Sequence, residues 1–230
     1  MHNHEFTHKK WGTIRISVNK RAHRIIMRAG TEFIRITVPV YATATDIERA
    51  LERHGEKLRQ QQEFSKKLID TQYTAGHGRF RIEVKEYNGK EFMWIHEPDC
   101  ATLMCPAECD FAERQEWLQK AVKNVIAEEA KKVLPKRLAE LADGHGLKYS
   151  RCSVRDSHGR WGSCNTKGNI SLSMYLILLP EELIDYVLLH ELCHTLEMNH
   201  SENFWAKLEN MCKGNAKRMR KQLKSYIPNI

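Results

Sequence analysis

Residues 180–200 read PEELIDYVLLHELCHTLEMNH, and they set His190, Glu191, His194 and His200 within eleven positions. Pro180 with two acidic residues behind it is a favoured helix start, and Ile184, Val187 and Leu188 supply an apolar face leading into the histidines. On a helix, residues four apart project from one face, so His190 and His194 can offer both rings to one cation at about 2.0–2.1 Å. Glu191, one position along, points to the side of that pair, where a general base belongs.

A catalytic zinc takes three protein ligands and keeps a fourth position open. His200 is the third ligand expected here. A helix end at Met198-Asn199, with Asn199 left-handed and Ser201 capping the next helix, puts His200 at the corner where it folds back to the metal. The spacing equals that of H-E-x-x-H-x-x-G-x-x-H, although Glu197 stands at the glycine. Cys193 lies between the two helical ligands, faces elsewhere, and reads as packing. A serine hydrolase is excluded, because no G-x-S-x-G elbow is present.

Outward from this stretch the chain reads as α+β, with a β-rich N-terminal half at 1–109 and a zincin-like catalytic half at 110–230 that carries the HExxH helix. TIRISVN, HRIIMRA and EFIRITVPV alternate apolar and polar positions as half-buried strands do. DIERALERHGEKLRQQQEFSKKLID reads as a charged surface helix interrupted at Gly55. RFRIEVKEYNGKEFMWIH reads as a hairpin about Asn88-Gly89, and the proline- and cysteine-bearing EPDCATLMCPAECD as a connection between modules. From Asp110, a capping residue, Trp117, Val122, Val125, Ile126, Val133, Leu138 and Leu141 form an apolar stripe, with Pro135 expected to kink the helix. YSRCSVRD and NISLSM are strands joined by the donor-rich loop SHGRWGSCNTKG, and two helices follow His200. No internal repeat or low-complexity segment is visible.

Lys and Arg number 37 against 29 Asp and Glu, a formal charge of +8 that favours anionic partners. The odd count of seven cysteines and an N-terminus without an apolar core point to a reducing cytoplasm, and no run is long enough to span a bilayer. Cys100, Cys105 and Cys109 lack the C-x2-C spacing of a zinc ribbon. His2, His4 and His8 sit on a polar terminus that reads as disordered rather than as a metal site.

RWGSC (160–164), GNISL (168–172), IDYVLLHELCH (184–194) and NHSENFW (199–205), in this order and spacing, resemble the YgjP-like metallopeptidase domain family, zincin-like proteins related to SprT-type proteases. The resemblance extends over nearly the whole chain. It implies His190, His194 and His200 as ligands of one Zn2+ per chain and Glu191 as the catalytic glutamate. It also implies an alternative substrate, since relatives have been described as nucleoside triphosphate pyrophosphatases acting on UTP. Many relatives read L-N-W where this chain has Leu172-Ser173-Met174.

Zinc-dependent hydrolysis is the leading expectation, with a peptide preferred to a nucleotide because H-E-x-x-H chemistry suits carbonyl attack. The anion formed in the attack needs a donor: Arg160 is the expected catalytic cation, with His158 and Tyr175 as substrate-binding residues. A reading of another class is a zinc-stabilised nucleic-acid-binding module without catalysis, using the lysines and arginines of the C-terminal helices and Trp205.

Overall fold

The computed structural model describes residues 3–30, 33–65 and 68–226. It divides between Lys67 and Leu68 into two compact units. The boundary expected at 109/110 therefore moves. The sheet of residues 74–106 shares one apolar core with the catalytic helices, so no seam runs at 109.

The N-terminal unit is a four-stranded sheet and one helix. Strands β1 (Asn3–His8), β2 (Gly12–Val18), β3 (Ile26–Ala29) and β4 (Ile34–Val38) lie in the order β1-β2-β4-β3. The terminus expected to be disordered is thus a paired strand from Asn3 onward, whereas His2 lies outside the described residues. His8 is held by the backbone NH groups of Lys10 and Trp11 and by Glu48.

Helix α1 (Ala44–Ser65) opens on a capping box: Asp46 N–H donates to Thr43 Oγ1 and Thr43 N–H donates to Asp46 Oδ2. It runs unbroken through Gly55, contrary to the expected interruption. Glycine is required there by packing. A Cβ at Gly55 would stand 2.7 Å from the indole of Trp11, which is buried with Ile14, Ile34, Ile36, Leu51 and Leu58.

The second unit contains two sheets. Strands β5 (Thr74–Ala75), β6 (Arg81–Tyr87), β7 (Met93–Glu97) and β8 (Cys100–Pro106) take the order β5-β6-β8-β7. The expected hairpin does not form: β6 and β7 each pair with β8, parallel and antiparallel respectively, and not with one another. The physical reason lies in the segment read as a connection. Cys100, Ala101, Thr102, Leu103 and Cys105 are all buried, so this is the strand suited to a central place, while β7 is mostly exposed and belongs at an edge. Both four-stranded sheets thus share one order and one set of parallel and antiparallel pairings, each followed by a long helix. This repeated topology is invisible in the sequence.

Helix α2 (Gln115–Gly144) buries Leu118, Val122, Val125, Ile126, Ala130, Leu134, Leu138 and Ala142 and continues through Pro135. Trp117 stays half outside, against Phe92. Asp110 caps the turn ahead of the helix, accepting from Ala112 and Glu113. Strands β9 (Arg151–Arg155), β10 (Gly162–Cys164) and β11 (Asn169–Ser173) form a second sheet in the order β10-β11-β9. The donor-rich loop therefore contains a strand, and that strand lies on the sheet's edge.

A 3-10 turn (Met174–Leu178) leads into α3 (Glu181–Cys193), and α4 (Glu202–Met211) and α5 (Ala216–Leu223) complete the unit. Arg137 of α2 donates through Nε and Nη2 to both carboxylate oxygens of Asp185 on α3, at 2.8 and 2.7 Å. Among the described residues no helix is long and apolar enough to cross a membrane.

Replacing a mid-helix glycine by alanine ordinarily stabilises by about 0.5–1 kcal/mol. Gly55→Ala is expected to do the reverse, lowering stability by about 1–3 kcal/mol through overpacking against Trp11. Urea unfolding of the full chain, followed by tryptophan fluorescence, reads the sign.

Candidate metal centre

Helix α3 is buried over most of its length, with Leu183, Ile184, Val187, Leu188 and Leu192 inside, so its two histidines are carried on a fixed rod. The helix ends at Cys193, earlier than the expected Met198-Asn199, and Asn199 is not left-handed: Lys213 is the one non-glycine residue with positive φ among those described. A tightening turn makes the corner instead, with Leu196 and Glu197 NH groups donating to the carbonyl of Cys193. Ser201 caps α4 as expected, its hydroxyl accepting from Phe204 N–H.

The corner brings His200 back to the helix. Its Nε2 lies 3.1 Å from Nε2 of His190, and ligand atoms of His190, His194 and His200 all fall within 4.8 Å of one another. Two nitrogens bound at 2.0–2.1 Å to one tetrahedral ion stand about 3.3 Å apart, close to the observed separation. His194 Nδ1 donates to the carbonyl of Glu197 at 3.1 Å, which leaves its Nε2 lone pair facing the other rings. Burial, with the neighbouring histidines, pushes His190 down to about 3, and burial lowers His200 as well. Imidazoles that converge in this way are a ligand set for a divalent cation.

Phe204 lies beneath all three rings, with centroids 5.0, 4.7 and 4.7 Å from His190, His194 and His200. Trp205 stacks on His200, and the guanidinium of Arg220 sits over the same indole, 4.5 Å from its centroid. Sequence reasoning treated Phe204 merely as part of a motif; its position three after a serine cap, facing inward, is the signal that places it. Cys193 is buried and donates weakly to the Phe204 carbonyl, consistent with packing.

The Glu191 carboxylate lies against β10. A Cβ on Gly162 would lie 2.6 Å from Glu191 Oε1, so the glycine in this strand is the space the carboxylate occupies. Glu191 Oε2 is buried without a partner in the protein. Burial raises its pKa from 4.5 to about 7, opposed by the positive charge of Arg160. Arg160, exposed in the loop before β10, thus acts electrostatically on the carboxylate.

The other two expected residues form a separate cluster. Tyr175 O–H donates to Asp156 Oδ1 at 2.9 Å, with His158 Nε2 3.0 Å from the same hydroxyl, and Lys123 pairs with Asp156. Ser173 donates to the Ser157 carbonyl, tying this loop to the end of β11.

The family model of the YgjP-like, metallopeptidase domain matches residues 21–226. The chain belongs to that family. As a YgjP-like domain it is a metallohydrolase, and the three-histidine cluster is its candidate metal centre. Two solved metallopeptidase zymogens are similar. Abylysin of Pyrococcus abyssi is 26% identical over 40% of this chain and 93% of its own, with a TM-score of 0.37. Jannalysin of Methanocaldococcus jannaschii is 21% identical over 39% of this chain and 96% of its own, with a TM-score of 0.33. No curated protein matches.

Glu191 yields a signed pH prediction. Its folded pKa is raised, so between pH 4.5 and about 7 the folded state holds a proton the unfolded state has lost, and stability falls as pH rises. Above that window the penalty is complete, about 3 kcal/mol at most. In chelator-treated protein, Glu191→Gln is expected to exceed the parent by about 1–3 kcal/mol near pH 8 and to match it near pH 4, by urea unfolding at the two pH values. Gly162→Ala is expected to displace the carboxylate and reduce kcat at least about tenfold, with metal content by elemental analysis unchanged.

Proposed function

We propose that this chain is a zinc-dependent metallopeptidase in which Glu191 is the general base and Arg160 steadies the developing anion. His190, His194 and His200 hold the ion through ring nitrogens. Bound zinc supplies a Lewis acid that lowers the pKa of water to about 7 and polarises a carbonyl. Glu191, with a pKa near neutrality and Oε2 unpartnered, takes a proton from the attacking water and passes it to the leaving amine. Arg160, whose charge already reaches Glu191, is the cation of the adjoining loop that stabilises the developing anion. His158, oriented by the Tyr175 hydroxyl and Asp156, binds substrate at the mouth of the same loop.

The observation that carries peptide over nucleotide is the strand beside the carboxylate. β10 pairs with β11 on one side and, among the described residues, with no strand on the other. An extended peptide can add to that edge, with its carbonyl presented to Glu191 across Gly162. A triphosphate calls for several converging cations. Most of the net positive charge lies elsewhere: residues 68–230 carry 23 Lys and Arg against 22 Asp and Glu.

The test is a substrate panel. With zinc restored, cleavage of casein-derived peptides is expected, and Glu191→Gln is expected to lose at least about a thousandfold in kcat while keeping stoichiometric metal. Pyrophosphate release from UTP without peptide cleavage assigns the site to nucleotide hydrolysis instead.

A further inference from the structure

The net positive charge of the chain is concentrated in the unit that holds no part of the candidate metal centre. Residues 1–67 contain 14 Lys and Arg against 7 Asp and Glu, so this unit carries +7 of the formal +8. On α1 the charges are segregated. Arg49, Arg53 and Lys57 recur every fourth residue along one face, and Glu48, Glu52 and Glu56 along the neighbouring one.

The arginine face borders a cleft of about 410 Å³, of a size that admits a nucleotide-sized group. Its rim carries Arg49, Arg53 and His54 from α1, with His23 and Arg24 from the segment before β3. Ile25, Met27 and Ala50 give it an apolar floor that joins the core of the unit. Arg24 and Arg53 have no ion-pair partner among the described residues. The one carboxylate in the lining, Asp46, is already engaged by Thr43 and stands 3.7 Å from Arg49.

An aromatic ring completes the cleft. Tyr41 is 68% exposed, and its hydroxyl donates to the His23 carbonyl at 2.8 Å. That bond fixes a flat π-face beside the guanidinium groups instead of letting it fold onto the core. Cations along a cleft, together with an exposed, oriented aromatic, are the means by which single strands are bound without sequence preference. An acidic polypeptide would use the cations but has no use for the ring.

We infer that the cleft of the N-terminal unit binds single-stranded nucleic acid, with phosphates on Arg24, Arg49 and Arg53 and a base stacked on Tyr41. The C-terminal helices are poorer candidates for this role. Lys207 is paired with Glu197, Arg218 with Glu182, and the indole of Trp205 is already engaged by His200 and Arg220.

Fluorescence anisotropy of the full chain with a labelled single strand of about 12 nucleotides tests this. Expected is binding that weakens with salt, the log–log slope falling by about 1.4 when Arg49 and Arg53 are both replaced by Ala, as two phosphate contacts are lost. Tyr41→Leu is expected to weaken binding about 5- to 150-fold and leave the slope unchanged, the signature of a lost stack. Lys217→Ala with Arg218→Ala on α5 is expected to change neither. Thermal unfolding of each variant confirms that it is folded. Absence of binding at low salt, loss through the α5 pair in place of the cleft residues, or equal competition by poly-glutamate, which would assign an acidic polypeptide, overturns the inference.

Discussion

Three imidazoles held within about 5 Å of one another need a surface to rest on, and Phe204 is that surface. The ring is fixed from two directions. Ser201 caps the helix that carries it, and the thiol of Cys193, at the end of the histidine helix, meets its carbonyl. A buried phenyl of this kind is worth about 3–5 kcal/mol, so the α3–α4 corner is a packed joint and not a flexible loop. Helix α3 and its C-cap bring His190 and His194 to one face, but His200 arrives only because the joint closes over this ring. The carboxylate is placed by the opposite wall, where a strand gives up a side chain to make room for it.

Local chemistry made the candidate metal centre legible. Helical spacing, a serine cap and a histidine at the corner are short-range signals, and each concerns residues within eleven positions. The means of turning the corner was not legible. Asn199 suggested a left-handed residue, whereas backbone hydrogen bonds to Cys193 tighten the last turn without one. Gly162 and Phe204 were equally hard to read, because their importance lies in contacts across 29 residues for Gly162–Glu191 and across 4 to 14 residues for Phe204 and its histidines. The Tyr175–Asp156–His158 cluster was equally hard to read, because the bond from the tyrosine hydroxyl to the aspartate spans 19 residues.

The fold was legible strand by strand and misread in pairing. An Asn-Gly pair between two alternating runs favours a hairpin locally, but the most apolar strand of the sheet comes later and claims the centre. Cysteines and a proline disguised that strand as a linker, although free buried cysteine behaves as a small hydrophobe. Gly55 was misread for a related reason: a glycine that weakens an isolated helix is what lets this one receive an indole.

The same strand order has a consequence for biosynthesis. In each four-stranded sheet the strand that bridges its two neighbours is the last of the four in the chain, β4 in the first and β8 in the second. A nascent chain that has emerged through β3, or later through β7, therefore holds strands whose common partner is still to be made. Their unpaired edges stay open to other chains until the ribosome delivers the missing element. Chaperone demand during translation should accordingly peak twice, once ahead of each central strand.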